Sequence, residues 1–155
     1  MHKLFNHITS FIKILLLSIF TVLLVSVSNA EQSVEDIIKG RQALFSKNYS
    51  TAKRVQAFAS NGDFDRSIEL MIEMSENYKV LIDLFPENTK EGFKTEALPI
   101  IWEENDAFNA LMKKASDDMI KLAKAIETAE DLRAVQKNLM WSNCTACHSR
   151  FRAPH

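Results

Sequence analysis

Residues 64–86 read FDRSIELMIEMSENYKVLIDLFP. Apolar side chains fall at Phe64, Ile68, Met71, Ile72, Leu81, Ile82 and Phe85. Those gaps return a side chain to one face of an α-helix, whereas a strand would alternate them across its two faces. No glycine or proline interrupts the run before Pro86, and Asn61-Gly62-Asp63 makes a turn ahead of it. The same pattern recurs on both sides. Upstream, Ser33-Val34-Glu35-Asp36 resembles a helix cap with an acid three residues on. It opens a stripe of Val34, Ile37, Ile38, Leu44, Phe45, Ala52, Val55 and Phe58. Downstream, a third stripe holds Phe108, Leu111, Met112, Ala115, Met119, Leu122 and Ile126. Thr128-Ala129-Glu130-Asp131 repeats the cap pattern, and a fourth stripe runs on through Leu132, Val135, Leu139, Met140, Trp141, Cys147 and Phe151.

Four segments with one apolar face each must bury those faces against one another, so an all-α, antiparallel four-helix bundle is expected. The connections near Gly62 and Thr128 are short, which pairs helix one with two and three with four. Pro86 to Pro99, with Gly92 between them, is a long connection. Composition agrees. With 3 Gly and 3 Pro among 155 residues, the chain is too poor in turn formers for many short strands. At 46% hydrophobic and 25% charged it is an ordinary globular chain of one domain. A net charge of −1 removes the electrostatic argument for a nucleic-acid partner.

Residues 1–30 read as a cleaved signal peptide. Lys3 lies near the start, Ile14 to Val27 (ILLLSIFTVLLVSV) carries no charge, and Ser28-Asn29-Ala30 offers the small residues of a cleavage site. The competing reading is a membrane anchor, but the apolar run is shorter than the ~20 residues a bilayer needs. The expected mature domain is 31–155. It would be exported, to the periplasm, where cysteines can be oxidised.

The chemistry is concentrated in Cys144-Thr145-Ala146-Cys147-His148, the Cys-x-x-Cys-His signature of c-type haem attachment. Two residues on a helical turn separate the sulfurs by about the spacing of the two haem vinyl groups. The next imidazole, His148, then becomes the proximal iron ligand. Both cysteines of the chain are used here. The pair also admits three other readings: a thioredoxin-like redox couple, which lacks its βαβ context; half of a zinc site, which lacks a second pair; and a disulfide, which stabilises little across so short a loop. A bundle enclosing one covalently attached haem c would be hollow without it.

From residue 31 to Phe151 the chain resembles the cytochrome c′ family, four-helix-bundle cytochromes of bacterial periplasms that carry haem near the C-terminus. The resemblance rests on Arg41-Gln42, Phe85-Pro86, Ala97-Leu98-Pro99-Ile100-Ile101-Trp102 with Phe108, and Cys144-x-x-Cys147-His148 with Phe151-Arg152. Leu98 and Ile100 stand where the family usually has basic and acidic neighbours. The resemblance implies that Arg41 and Gln42 meet the haem propionates or porphyrin edge, a role a guanidinium suits; a solvated helix charge is the plainer reading of Arg41. It also implies that Glu96 contacts the haem and that Arg152 lies on its proximal side. A solvated loop and a charge near a fraying terminus are the plain readings of those two.

The resemblance further puts Phe45, three residues after Gln42, on the open side of the iron. A phenyl ring neither ligates iron nor donates a hydrogen bond, and the first helix contains no Met. The implied protein is a non-enzymatic, five-coordinate haem protein binding nitric oxide or CO, or transferring electrons to a redox partner protein, and it is expected to be a homodimer. The alternatives are a six-coordinate electron carrier of the same fold, a thiol–disulfide oxidoreductase using Cys144 and Cys147, and a structural bundle with no cofactor.

Overall fold

The computed structural model describes residues 32–154. The expected signal peptide lies outside the described residues. Helix α1 spans Val34–Ser60 and α2 spans Phe64–Ile82. A 3-10 turn at Glu87–Thr89 lies in the long connection. A single turn, α3 (Ile100–Glu103), leads into α4 (Asn105–Ala125). The last segment is α5 (Leu132–Gln136), a π-helical turn (Lys137–Trp141) and α6 (Ser142–Phe151). These make the expected bundle: α2 packs on α1 and α4, and α4 packs on the π turn and α6.

Local chemistry sets the ends. Ser33 caps α1 by accepting a hydrogen bond from the Asp36 backbone N–H at 3.1 Å. Gly62 turns the chain at φ +76°, a left-handed conformation that glycine takes without strain. Asp63 then caps α2 through the Arg66 N–H. The cap of α5 is Asp131, which accepts from the Ala134 N–H at 2.9 Å. The Thr128 pattern therefore points three residues too early, because Asp131 offers a side-chain oxygen directly before the helical residues. Helix α2 likewise stops at Ile82, short of Pro86, whose preceding residue, Phe85, is disfavoured in the helical region.

Met71, Met74, Leu81, Met119 and Leu122 are sealed in the core. Two stripes differ from the sequence reading. In α1 the buried face runs Ile38, Arg41, Asn48, Thr51, Ala52, Val55 and Ala59, so two large polar residues sit where an apolar count skips them. In α2 the buried face takes in Ser67, Ser75, Asn77 and Tyr78, while Ile72 is 46% exposed. Ser75 and Ser116 share a 2.8 Å hydrogen bond there, which lets α2 and α4 bury polar atoms between them.

Adjacent Met71 and Ile72 separate the two readings of α2. Met71→Ala should cost about 2–5 kcal/mol, as for a buried Met truncation, and Ile72→Ala under about 1 kcal/mol. Urea unfolding of both variants measures the difference, and equal losses would contradict the packing of α2.

Candidate haem-binding site

A cavity of about 700 Å³ opens inside the bundle, lined from α1, α2, α4, α6 and the long connection. Cys144, Cys147 and His148 all line it. They sit on the first two turns of α6, directly after the π turn. A π turn inserts one residue per turn and rotates the helix beyond it, and such turns are common beside functional sites. Here the buried positions run Gln136, Met140, Asn143, Cys147 and Phe151 through the insertion. Cys147 of the haem motif lies on that buried face.

Cys144 and Cys147 form no disulfide. Burial pushes the Cys144 thiol above its ordinary range, and burial together with the charge of Cys144 pushes Cys147 to about 11. A thiol–disulfide enzyme needs a lowered thiol pKa. Among the described residues, no group of three His, Cys, Asp or Glu is gathered to hold a metal ion, so the zinc alternative lacks its remaining ligands.

Aromatic rings cover the opposite walls. Phe45 meets Phe85 edge-on at 6.4 Å between centroids, Phe85 meets Phe108 at 4.6 Å, and Phe108 meets Phe151 at 5.4 Å. Ile101 and Met112 complete the apolar lining. Protein interiors are ordinarily close-packed, so a void of this size, walled by rings and edged by two thiols and an imidazole, has the features of a cofactor site. The donor set and the lining fit a covalently attached haem.

Arg41 and Gln42 line the cavity, but their polar atoms hold the long connection. Arg41 is 2% exposed. Its Nη1 donates to Leu84 O (3.1 Å) and Thr89 Oγ1 (2.8 Å), and Nη2 donates to Thr89 O and Thr95 Oγ1, both at 2.8 Å. The guanidinium lies 4.4 Å from the Phe85 ring centroid and 5.7 Å from that of Trp102. Trp102 Nε1 in turn donates to Phe85 O. Burial lowers the Arg41 pKa to about 10, which leaves it charged at neutral pH. The Gln42 amide donates to Phe93 O and Lys94 O, two residues at positive φ directly after Gly92. The pair therefore fixes the shape of the loop that borders the cavity.

Glu96 and Arg152 also line the cavity, and they approach each other: Arg152 Nε lies 4.0 Å from Glu96 Oε2. The backbone brings them there. Leu98 N–H donates to Phe151 O and Ala153 N–H to Glu96 O, an antiparallel bridge that ties the chain end to the long connection.

Sequence reasoning missed three buried polar cavity residues: Asn48, Tyr78 and Asn143. Asn48 was legible in principle, since it comes three residues after Phe45 and seven after Arg41, on one helical face. Asn143 ties the haem-motif helix to α4. Its Nδ2 donates to Asp118 Oδ2 and its Oδ1 accepts from Lys114 Nζ. Asp118 also pairs with Lys114 and Lys121.

The fold and site define a class: four-helix-bundle proteins that carry covalent haem near the C-terminus. The sequence profile of the Cytochrome C′ family matches residues 36–152, and the chain belongs to that family. It is 29% identical over 121 residues to cytochrome c′ of Rhodopseudomonas palustris, covering 76% of this chain and 82% of that one. The crystal structure of cytochrome c′ from Rubrivivax gelatinosus superposes with a TM-score of 0.65 at 27% identity, covering 78% of this chain and 98% of that one. A nitric oxide complex of a cytochrome c′ variant from Alcaligenes xylosoxidans has a TM-score of 0.66 at 22% identity, covering 79% and 98%, and shares the fold. The cofactor of this family is haem c, and Cys144 and Cys147 are present for its attachment.

Asp118 makes the support of α6 dependent on pH. Burial works to raise its pKa, but hydrogen bonds from Lys114, Lys121 and Asn143 outweigh this and hold it below the ordinary 3.8. The unfolded chain therefore takes up this proton first as pH falls. The stabilisation is present above pH 3.8 and is lost as pH drops through the folded-state value. Unfolding free energy measured from pH 6 to about 2 should fall less steeply in Asp118→Asn than in the wild type.

Proposed function

We propose that this protein is a periplasmic haem protein that binds small diatomic ligands, nitric oxide and CO, at a vacant axial position, with electron transfer to a protein partner as an accompanying role. The single observation behind the reading is that Phe45 and the Cys144-Cys147-His148 turn line one cavity. Haem c supplies there an iron centre that exchanges one electron and takes up small ligands. Cys144 and Cys147 would anchor it and His148 would ligate its iron. The apolar rings exclude bulk water, and the Phe45 ring hinders anything larger than a diatomic. Arg41 and Gln42 act by holding the 84–95 connection over the cavity edge, and Glu96 and Arg152 close its other border. This reading assigns no catalysed reaction. A homodimer through α1 and α2 accords with the exposed Tyr49, Ile72 and Val80 on those helices, and light scattering would measure it.

A six-coordinate electron carrier is the second reading. The observation favouring it is Met112, whose thioether side chain also lines the cavity. A low-spin ferric spectrum that turns high-spin in Met112→Leu would establish it. The first reading requires a high-spin spectrum unchanged by that substitution.

Two measurements test the proposal. Expressed with a haem-attachment system, the protein should keep its Soret band after denaturation, and Cys147→Ala should lose one of the two thioether links. In the ferrous protein, Phe45→Ala should bind CO and nitric oxide faster than wild type, since the steric block is gone. Phe45 is half-buried beside a cavity, so the change should cost less than the ~3–5 kcal/mol of a sealed phenylalanine. Equal association rates would remove Phe45 as the gate.

A further inference from the structure

Tyr78 brings a hydroxyl into a cavity otherwise walled largely by hydrocarbon. It sits on α2, is 6% exposed and lines the cavity. Cys144 and Asn48 act electrostatically on its hydroxyl. Asn48, 3% exposed, is oriented in turn by Asn77, whose Nδ2 donates to Asn48 Oδ1 at 2.8 Å. That bond engages the Asn48 oxygen, and no acceptor meets Asn48 Nδ2 in hydrogen-bond geometry. The result is a buried polar group of three residues on α1 and α2 that the haem motif does not account for.

Haem attachment changes the chemistry of the sulfur that acts on Tyr78. When a thiol adds to a vinyl group, a sulfur–carbon bond forms and the thiol hydrogen passes to the neighbouring vinyl carbon, so no oxidant is needed. The sulfur that remains is a thioether, a weaker acceptor than the thiol or thiolate it replaces. A phenol that lines a largely apolar cavity without an acceptor is costly. We propose that Tyr78, backed by Asn48 and Asn77, is the hydrogen-bond donor of this cavity, and that it serves the accepting oxygen of a small diatomic ligand or of a water held there. The inference rests on the ligand-binding function proposed above and adds a polarity to the site that Phe45 alone lacks. Burial, with Cys144 beside it, raises the Tyr78 pKa well above its ordinary 10, so the phenol keeps its proton across the physiological range.

Tyr78→Phe removes one oxygen and keeps the ring, so it tests the donor with little change in packing. In the haem-loaded ferrous protein, the infrared C–O stretch of the CO complex should lie lower in wild type than in Tyr78→Phe. CO release should be roughly two- to tenfold slower in wild type, the range expected for one hydrogen bond. Asn48→Leu should broaden or split the wild-type CO band, because the phenol loses its backing. If water is the acceptor instead, a crystal structure of the ligand-free haem protein should show an ordered water on Tyr78 Oη that is absent in Tyr78→Phe. Identical CO stretch and release in both proteins, with no such water, would overturn the inference. Absence of covalent haem from the wild type would remove the proposed function itself, an outcome read on the denatured sample before any CO is added.

Discussion

The bundle is built around a space its own side chains do not fill. Interiors pack densely because every unfilled gap forfeits dispersion contacts and transfer free energy, so a cavity of about 700 Å³ is a demand on the rest of the fold. Its walls are bulky rings, and a loop tethered by Arg41 and Gln42 borders it. The polar atoms along it are few and mostly tethered. Enclosing a large flat group answers that demand, and the attachment residues lie on its wall.

Two clamps maintain the space. The first is Arg41, a guanidinium that would be expensive to bury were it not spread over four oxygens and two aromatic faces. It joins α1 to the residues leaving α2 and to the loop before α3, which would otherwise be the least constrained stretch of the domain. The second is the backbone bridge between residues 96–98 and 151–153. It anchors the end of α6, the helix that carries Cys144, Cys147 and His148. Residues that bear the family resemblance in sequence, Arg41, Phe85 and Trp102, thus meet in one stack.

The haem side also has its own support. Asn143 precedes Cys144 and binds the buried carboxylate of Asp118, which two lysines keep ionised. On α1 and α2, Asn77, Asn48 and Tyr78 form a second buried polar group. Buried polar networks are costly unless satisfied, and they hold a unique arrangement when they are. The Asp118 network reaches the motif helix at Asn143, directly before Cys144, so its placement depends on α4.

The sequence by itself determined the helical segments, their order and the haem-attachment turn. Each of these is a local matter: apolar periodicity, a capping oxygen, a turn glycine, or five consecutive residues whose chemistry needs no distant partner. Tertiary structure decided what polar residues on buried faces do. Arg41 and Asn48 lie on the inner face of α1, where apolar counting passes over them, and only the folded chain shows that their partners are Thr89, Thr95 and Asn77. Ile72 fits the apolar period of α2 yet faces solvent, because the neighbouring helices cover the side bearing Met71, Met74 and Tyr78. The π turn was illegible as well. It is a change in hydrogen-bond register that no composition marks.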